Sequence, residues 1–374
     1  MNSEYYLLGK SGLRISRIAL GTMTFGTDRD GGWGTSVADS RAIFDRFIAA
    51  GGNFLDCADY YGQGLCEEVL GRFIADSGLR DRVVLATKFN HNLSPGDPNA
   101  GGNGRKNILR AVDQSLRRLG TDYIDLYLLH MWDCLTPPEE VARTFDDLIR
   151  AGKIRYAGLS DVPAWYAARV WSLSEAHGLG MPINLQLPYS LVERQLEHEY
   201  IGLARTLGMG ITAWAPLASG LLSGKYAHDA GGGMKGQGRL TNESMARLGM
   251  FNERNARIVA ALESVALALN RSMAQVALNW TATQPAIAAI IIGATKLSQI
   301  EDNLGALSFT IPAELRARLD AASALEPVYP YKMFGSHYQG WLTTGGATVG
   351  DKPSSYAPPL LISGGPIERH PDPG

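Results

Sequence analysis

The 374-residue chain contains only three cysteines, Cys57, Cys66 and Cys134. They cannot all pair, and none forms a CxxC or a Cys/His group with zinc spacing, so neither a disulfide scaffold nor a metal is implied. Neither sign of charge is in excess: 35 basic and 37 acidic residues leave a formal charge of −2. Without a Lys/Arg block there is no electrostatic footprint for nucleic acid or an acidic membrane surface. Long apolar runs are lacking too. The longest, Ala286–Ile292, falls far short of the ~18 residues that a membrane span needs, and the opening MNSEYYLLGK has no basic segment leading into an apolar core. These absences predict a protein of the reducing cytoplasm, with neither nucleic acid nor membrane as partner.

Glycine is abundant, 43 residues beside 18 prolines, and belongs in turns, functional loops or irregular segments. After a hairpin predicted for 5–16, short apolar runs alternate with amphipathic segments. The runs are Arg17–Gly21, Asn53–Asp56, Val83–Lys88, Tyr123–His130, Ile154–Ser160, Ile183–Leu187, Gly210–Pro216 and Ala288–Gly293. Helical periodicity marks Val37–Ala50, Glu67–Asp76, Lys106–Leu119, Pro138–Arg150, Ala164–His177, Glu193–Leu207, Glu253–Leu269 and Ser272–Gln284. Buried parallel strands each followed by helix argue for a closed (β/α)8 barrel, of the α/β class, with a doubly wound open sheet as the competing topology. Thr136 with Glu139 reads as a capping box around Pro137-Pro138, and Gly152 as the stop of the same helix. Gly-rich loops at 90–105 and 218–250 would emerge at the carboxyl ends of strands, where barrel active sites are built. The division expected is a barrel over 1–335 and a Pro/Gly-rich extension over 336–374.

Three consecutive strands end in an ionisable residue: Asp56, Lys88 and His130. A barrel gathers such ends around one mouth, which favours a site over coincidence. Tyr60 or Tyr61 stands on the loop that follows Asp56. A phenol with a pKa near ~10 is a poor acid at neutral pH unless a cation stabilises its phenolate, and a carboxylate would hold that cation in place. Asp, Tyr, Lys and His thus make a proton-donating set. A structural Asp56–Lys88 ion pair with an aromatic rim is the bland alternative.

The stretches NFLDCADYYGQG, VVLATK, YIDLYLLH, GKIRYAGLSD, TAWAPLASGLLSGKY and IIIGATKLSQIEDNLGAL resemble, in order and spacing, the motifs of the aldo-keto reductases. The segment HMWDCLTPPEEVARTFDDLIRAGKIRYAGLSDVPAW is most similar to the branch holding aryl-alcohol dehydrogenase-like and potassium-channel β-subunit-like members. The resemblance spans about residues 5–335. It implies a tetrad of Asp56, Tyr61, Lys88 and His130, with Tyr61 chosen over Tyr60 as general acid. It further implies hydride exchange between a nicotinamide cofactor and a carbonyl or alcohol, Lys88 lowering the Tyr61 pKa and His130 polarising the carbonyl.

No GxGxxG follows a first strand, and Gly220–Lys225 is one residue short of a P-loop. Instead Gly293, Ala294 and Thr295 open a helix whose N–H groups favour phosphate, with Lys296 adding charge. That arrangement suits NADP(H). The resemblance puts Gln299 and Asn303 near the adenine, Trp214 on the nicotinamide, and Ser160 and Gln186 on its ring and carboxamide. Ala215, Pro216, Leu217, Ser219, Gly220 and Lys225 would follow the pyrophosphate, and Gly21, Thr22, Met23 and Asp56 would also face the cofactor. Two departures from the family pattern stand out. Asp161 replaces a common Asn and as a carboxylate cannot donate to the carboxamide oxygen. Gln299 replaces a common Arg, leaving phosphate selectivity to Lys296, helped by Lys225 or Arg239, with NAD(H) use left open. Met23, Phe89, Met131 and Trp132 are expected to line a pocket for an apolar or aromatic compound, while His91 reads as a surface histidine without a role. The resemblance also covers a non-enzymatic alternative, a nucleotide-binding accessory or redox-sensing subunit. The channel subunits lack the histidine of the fourth strand that this chain keeps as His130. A homo-oligomer is left open.

Overall fold

The computed structural model describes residues 4–27, 34–228, 234–236, 238–241 and 249–334, with 342, 343, 345 and 347 beyond them. Two short strands, β1 (Tyr5–Leu7) and β2 (Arg14–Ser16), form an antiparallel hairpin. Eight more strands close a parallel barrel. These are β3 (Ile18–Gly21), β4 (Phe54–Asp56), β5 (Val84–Phe89), β6 (Ile124–Leu129), β7 (Ile154–Ser160), β8 (Pro182–Pro188), β9 (Gly210–Trp214) and β12 (Ile287–Ile292). The seam joins the last strand to the first, Ile290 opposite Ile18. The eight runs read from sequence are these strands, and the open-sheet alternative is excluded by the closure. A two-residue hairpin, β10 (Ala227–His228) and β11 (Met234–Lys235), sits in the loop after β9.

The helices are α1 (Val37–Ala49), α2 (Leu65–Asp76), α3 (Arg105–Leu119), α4 (Pro138–Arg150), α5 (Ala164–Ala176), α6 (Tyr200–Leu207), α7 (Glu253–Leu269), α8 (Met273–Ala282), α9 (Leu297–Leu304) and α10 (Ala313–Ser323). Ser36, Asn252 and Ser272 accept from backbone N–H groups in the first turns of α1, α7 and α8, satisfying amides that a helix leaves unpaired. Two local expectations need correction. Pro137, not Thr136, precedes the first turn of α4, and the Thr136 hydroxyl donates to Asp133 Oδ2 at 2.6 Å. Asp133 thus ties the loop instead of a capping box, although Gly152 does adopt the left-handed stop, with φ +72°. The segment 193–207 begins as a single turn at Gln195–Glu197, and α6 itself starts only at Tyr200. Arg194 accounts for this: it binds Glu197 and reaches Asp320 O and Ser323 on α10, so tertiary contacts override the helical periodicity.

Side chains alternate across each strand. Phe54, Val84, Ala86, Leu126, Leu128, Ala289 and Ile291 point into the barrel, whereas Leu55, Leu85, Tyr127 and Leu129 pack beneath the helices. Leu8 and Ile15, both fully buried, join the interior cluster with Leu13 beside them, so the N-terminal hairpin plugs one end of the barrel. Gly9 makes the seal, at φ +58°: a Cβ there would lie 2.6 Å from the carbonyl oxygens of Ile183 and Gly208. Lys10 N–H adds a bond to Gly208 O at 2.7 Å.

After α10 the chain reaches the turn just before α6, where Tyr331 stacks on His198 at 4.4 Å and donates to Glu199 at 2.7 Å. The extension expected at 336–374 lies outside the described residues apart from the four isolated positions. Among the described residues no helix is long and apolar enough to cross a membrane.

Candidate active site

Period-two alternation carries the interior layers upward to a polar one. After Phe54 comes Asp56, after Ala86 comes Lys88, and after Leu128 comes His130. Ser160 and Trp214 end β7 and β9, and Gln186 stands two residues before the end of β8, in the same inward phase. Lys88 is fully buried and donates to Asp56 Oδ2 at 2.7 Å, to the Cys57 carbonyl at 2.7 Å and to the Tyr61 hydroxyl at 3.2 Å. Gln186 Nε2 donates to the other Asp56 oxygen at 2.9 Å. The Tyr61 and His130 rings meet edge to face at 5.9 Å. The structure therefore brings together all four residues singled out for the tetrad.

Their electrostatics follow from burial and from one cation. Burial pushes the Tyr61 phenol up to about 12, against the pull of the adjacent Lys88 ammonium. The net shift is upward, so the lowering expected from Lys88 is present as one contribution and is outweighed in the protein alone. Burial also works to lower Lys88, but Asp56 overcomes it and the net shift is upward. Burial, with Lys88 and His91 adding to it, holds His130 well below the ordinary imidazole range. At neutral pH the mouth therefore presents an ammonium, a phenol and a neutral imidazole.

Behind the tetrad lies a second buried network. Glu67 is fully buried, accepts from Thr87 Oγ1 at 2.6 Å and pairs with Arg118 at 2.6 Å. It ties α2 and α3 to β5, the strand that carries Lys88.

Residues that could hold a dinucleotide line the opposite part of the mouth. Trp214 is 37 % exposed, and its indole N–H donates to Asp161 Oδ1 at 3.1 Å. Burial pushes Asp161 up to about 6, with the bond from Trp214 opposing it. The backbone here is turned into the left-handed region at Asp161, Ala215, Ala218, Ser219 and Gly220. Strain of this kind concentrates at functional sites. Lys225 lies so close to Gly220 and Gly238 that a Cβ on either would come within 2.6 or 2.9 Å of its ammonium nitrogen. Beyond β12, Gly293 is open to solvent and Lys296 is exposed, but Gln299 Oε1 already accepts from the Thr295 amide at 2.8 Å and from the Lys296 amide at 3.3 Å. The helix start is thus partly self-capped, and Asn303 is buried one turn further in. Thr22, also buried, bonds Asp56 O through its backbone and its hydroxyl, leaving half-buried Met23 nearer the opening.

The structure places the four residues expected at a substrate pocket differently. Met131 is exposed, and Trp132 packs edge to face on the half-exposed Trp165 at 5.5 Å. Phe89 is a correction: it is fully buried against Tyr127 and Phe145 on the helix side of the sheet, because alternation turns it away from its neighbour Lys88. His91 is a correction in the other sense. It is half-buried and held between Tyr60, stacked at 4.2 Å, and His130 at 4.8 Å. Sequence reading also passed over Trp165 and Asp59. Trp165 carried a signal, being an aromatic in the loop-to-helix turn after β7, whereas buried Asp59 carried none.

With this geometry in place, comparison with known proteins is informative. The model of the Aldo/keto reductase family matches residues 17–324. An uncharacterized oxidoreductase of Bacillus subtilis, YrpG, is 34% identical over 85% of this chain and 95% of its own length. A probable voltage-gated potassium channel subunit beta of rice is 36% identical over 81% of the chain and 91% of its own. Norsolorinic acid reductase of Aspergillus flavus is 31% identical over 87% and 82%. A closed barrel with this mouth, a family match over most of its length and relatives of this kind lead to one conclusion: the chain belongs to the Aldo/keto reductase family, whose oxidoreductase members include several of its relatives.

Proposed function

We propose that the protein is an NADP(H)-dependent oxidoreductase of the cytoplasm that interconverts an aldehyde or ketone and the corresponding alcohol. The observation that carries this reading is the Asp56–Lys88–Tyr61 chain beside His130, a proton source buried at the mouth of a barrel. The left-handed backbone after β9, the Lys225 ammonium seated against Gly220 and the half-exposed Trp214 face suit a dinucleotide. Trp214, Ser160 and Gln186 would hold its nicotinamide end, the 215–225 loop its pyrophosphate, and Lys296 a 2′-phosphate. When bound, the cofactor supplies or accepts the hydride.

The chain's own side chains manage the proton and the carbonyl. The phenol of Tyr61 gives its proton to the substrate oxygen as negative charge develops there. The phenolate left behind faces the Lys88 ammonium, which Asp56 fixes in place and which costs no reorganisation at that moment. Gln186 holds Asp56 against rotation. A neutral His130 can donate one N–H to the carbonyl oxygen without competing for the proton that Tyr61 delivers. Met131, Trp132 and Trp165 offer apolar and aromatic contact outside this centre, which favours a flat or apolar carbonyl compound.

A second reading, a nucleotide-binding accessory or redox-sensing subunit, is supported by the similarity to the rice channel subunit. The two are separated by following NADPH absorbance with a panel of aliphatic and aromatic aldehydes and ketones. Turnover supports the enzyme. Tight cofactor binding with no turnover on any member would favour the accessory subunit.

A further inference from the structure

Beside the tetrad, Asp59, His91 and His130 each offer one ligand atom, and the three atoms lie within 4.8 Å of one another. The residues come from three segments: the loop after β4, the start of the loop after β5, and the end of β6. Asp59 Oδ1, His91 Nδ1 and His130 Nδ1 are all buried and make no hydrogen bond among the described residues. An orphaned buried polar atom calls for an explanation, and three at one place call for a shared one. Asp59 is only 2 % exposed, so bulk water does not satisfy it.

We propose that Asp59, His91 and His130 form a site for a divalent transition metal, zinc being the natural occupant, which shuts off the mouth by engaging His130. Two imidazoles and a carboxylate, with a fourth position open, are a donor set that zinc accepts. Ligand atoms around tetrahedral zinc stand about 3.3 Å apart for bonds near ~2.0–2.1 Å, so the widest pair must close by up to about 1.5 Å. Side-chain torsions of His91, on the long 90–105 loop, can supply that. Stacking on Tyr60 orients its ring toward His130, as outer partners orient metal-bound histidines. Burial and Lys88 keep both imidazoles in the neutral form that carries a lone pair; burial, with Glu67 adding to it, pushes Asp59 up to about 8, so the metal binds by displacing the Asp59 proton and its affinity should rise with pH. The same ammonium works against a second cation, but Asp56 already pairs with it at 2.7 Å. The geometry therefore fits a reversible site, not a resident structural ion.

Metal binding itself does not depend on the proposed function; only the inhibition rests on that reading. The full chain, stripped with chelator and then dialysed against zinc, should hold one equivalent. His91→Ala and, separately, Asp59→Asn should weaken binding at least tenfold. Cobalt(II) in place of zinc should give the intense visible bands of a four-coordinate ion, lost in His91→Ala. In turnover, zinc should inhibit the unmodified chain and inhibit His91→Ala at least tenfold less, each protein being compared with its own zinc-free rate. Absence of stoichiometric zinc, or unchanged affinity in His91→Ala, overturns the proposal and leaves the three orphaned atoms to an ordered water. Stoichiometric zinc in a protein without turnover would keep the site and reject the enzyme reading instead.

Discussion

At one end of the barrel Leu8, Leu13 and Ile15 rest on Phe54 and Val84; at the other, the same strands finish in Asp56, Lys88 and His130. Both ends use the same alternation, two residues per step along β4, β5 and β6. The difference is what the chain must do about water. The hairpin end satisfies its backbone through β1–β2 pairing and the Lys10 bond to Gly208, so apolar side chains can fill the hole and exclude solvent. The mouth must admit a ligand, so it cannot be filled, and the charge kept there has to be paired internally. Asp56, Cys57 O and Tyr61 do that for Lys88. One end thus contributes stability and the other reactivity, and changes at the two should separate these properties.

The largest effect is expected at the mouth. Tyr61→Phe should lower carbonyl reduction by ~10²–10⁴-fold, the usual scale of a positioned proton donor, while cofactor affinity, followed by tryptophan fluorescence with Trp214→Phe as the control, holds. Activity close to that of the unmodified chain would place the proton source elsewhere. At the plugged end, Leu8→Ala should cost about 2–5 kcal/mol of folding stability through the cavity it leaves. Denaturant unfolding measures this, and turnover of the folded protein should not change. A loss of turnover in the folded state would show that the two ends are coupled.

The remaining predictions sharpen the chemistry within the mouth. Lys296→Ala should cost NADPH about 1.5–3 kcal/mol, the range for a charge-assisted contact, and leave NADH unaffected; equal weakening rejects the 2′-phosphate contact. The smallest effect concerns Asp161, which faces Trp214 from β9, Lys88 from β5, Ser160 beside it and Tyr200 from α6. Burial holds its carboxyl up at about 6. Below that value it is protonated and can donate to a carboxamide oxygen, and above it the donor is lost, so cofactor affinity should fall as pH rises through that value. The change should be about 0.5–1.5 kcal/mol, one neutral hydrogen bond, and Asp161→Asn should abolish the dependence. Titrating cofactor binding on either side of that pH decides it.

Much of this was legible in the sequence, for a physical reason. A buried parallel strand is an apolar run bounded by turn residues, and all eight were readable; a strand that ends at a mouth announces itself by a terminal charge, as at Asp56, Lys88 and His130. What was not legible depends on which way a side chain faces and on what lies across the barrel. Phe89 looked like a pocket residue because it follows Lys88, yet following it is what turns the ring outward. His91 looked like a surface residue because its loop is polar, but Tyr60 and His130 reach it from two other segments. Thr136 had the spacing of a cap, and Asp133, three residues earlier, took its hydroxyl. Gln186 was read toward the cofactor, and no local pattern shows that its amide also reaches Asp56, 130 positions away in the chain.

The seam between β12 and β3 has a consequence for how the molecule comes into being. Asp56, Tyr61, Lys88 and His130 all precede β7 in the chain and are made well before β12, but the ring that holds them closes only when Ile290 meets Ile18. Until then a nascent chain carries β3 with one open edge and, later, β9 with another. Open edges recruit foreign strands. A ribosome that stalls between Trp214 and Ile287 therefore leaves a chain with every reactive side chain present and two adhesive borders.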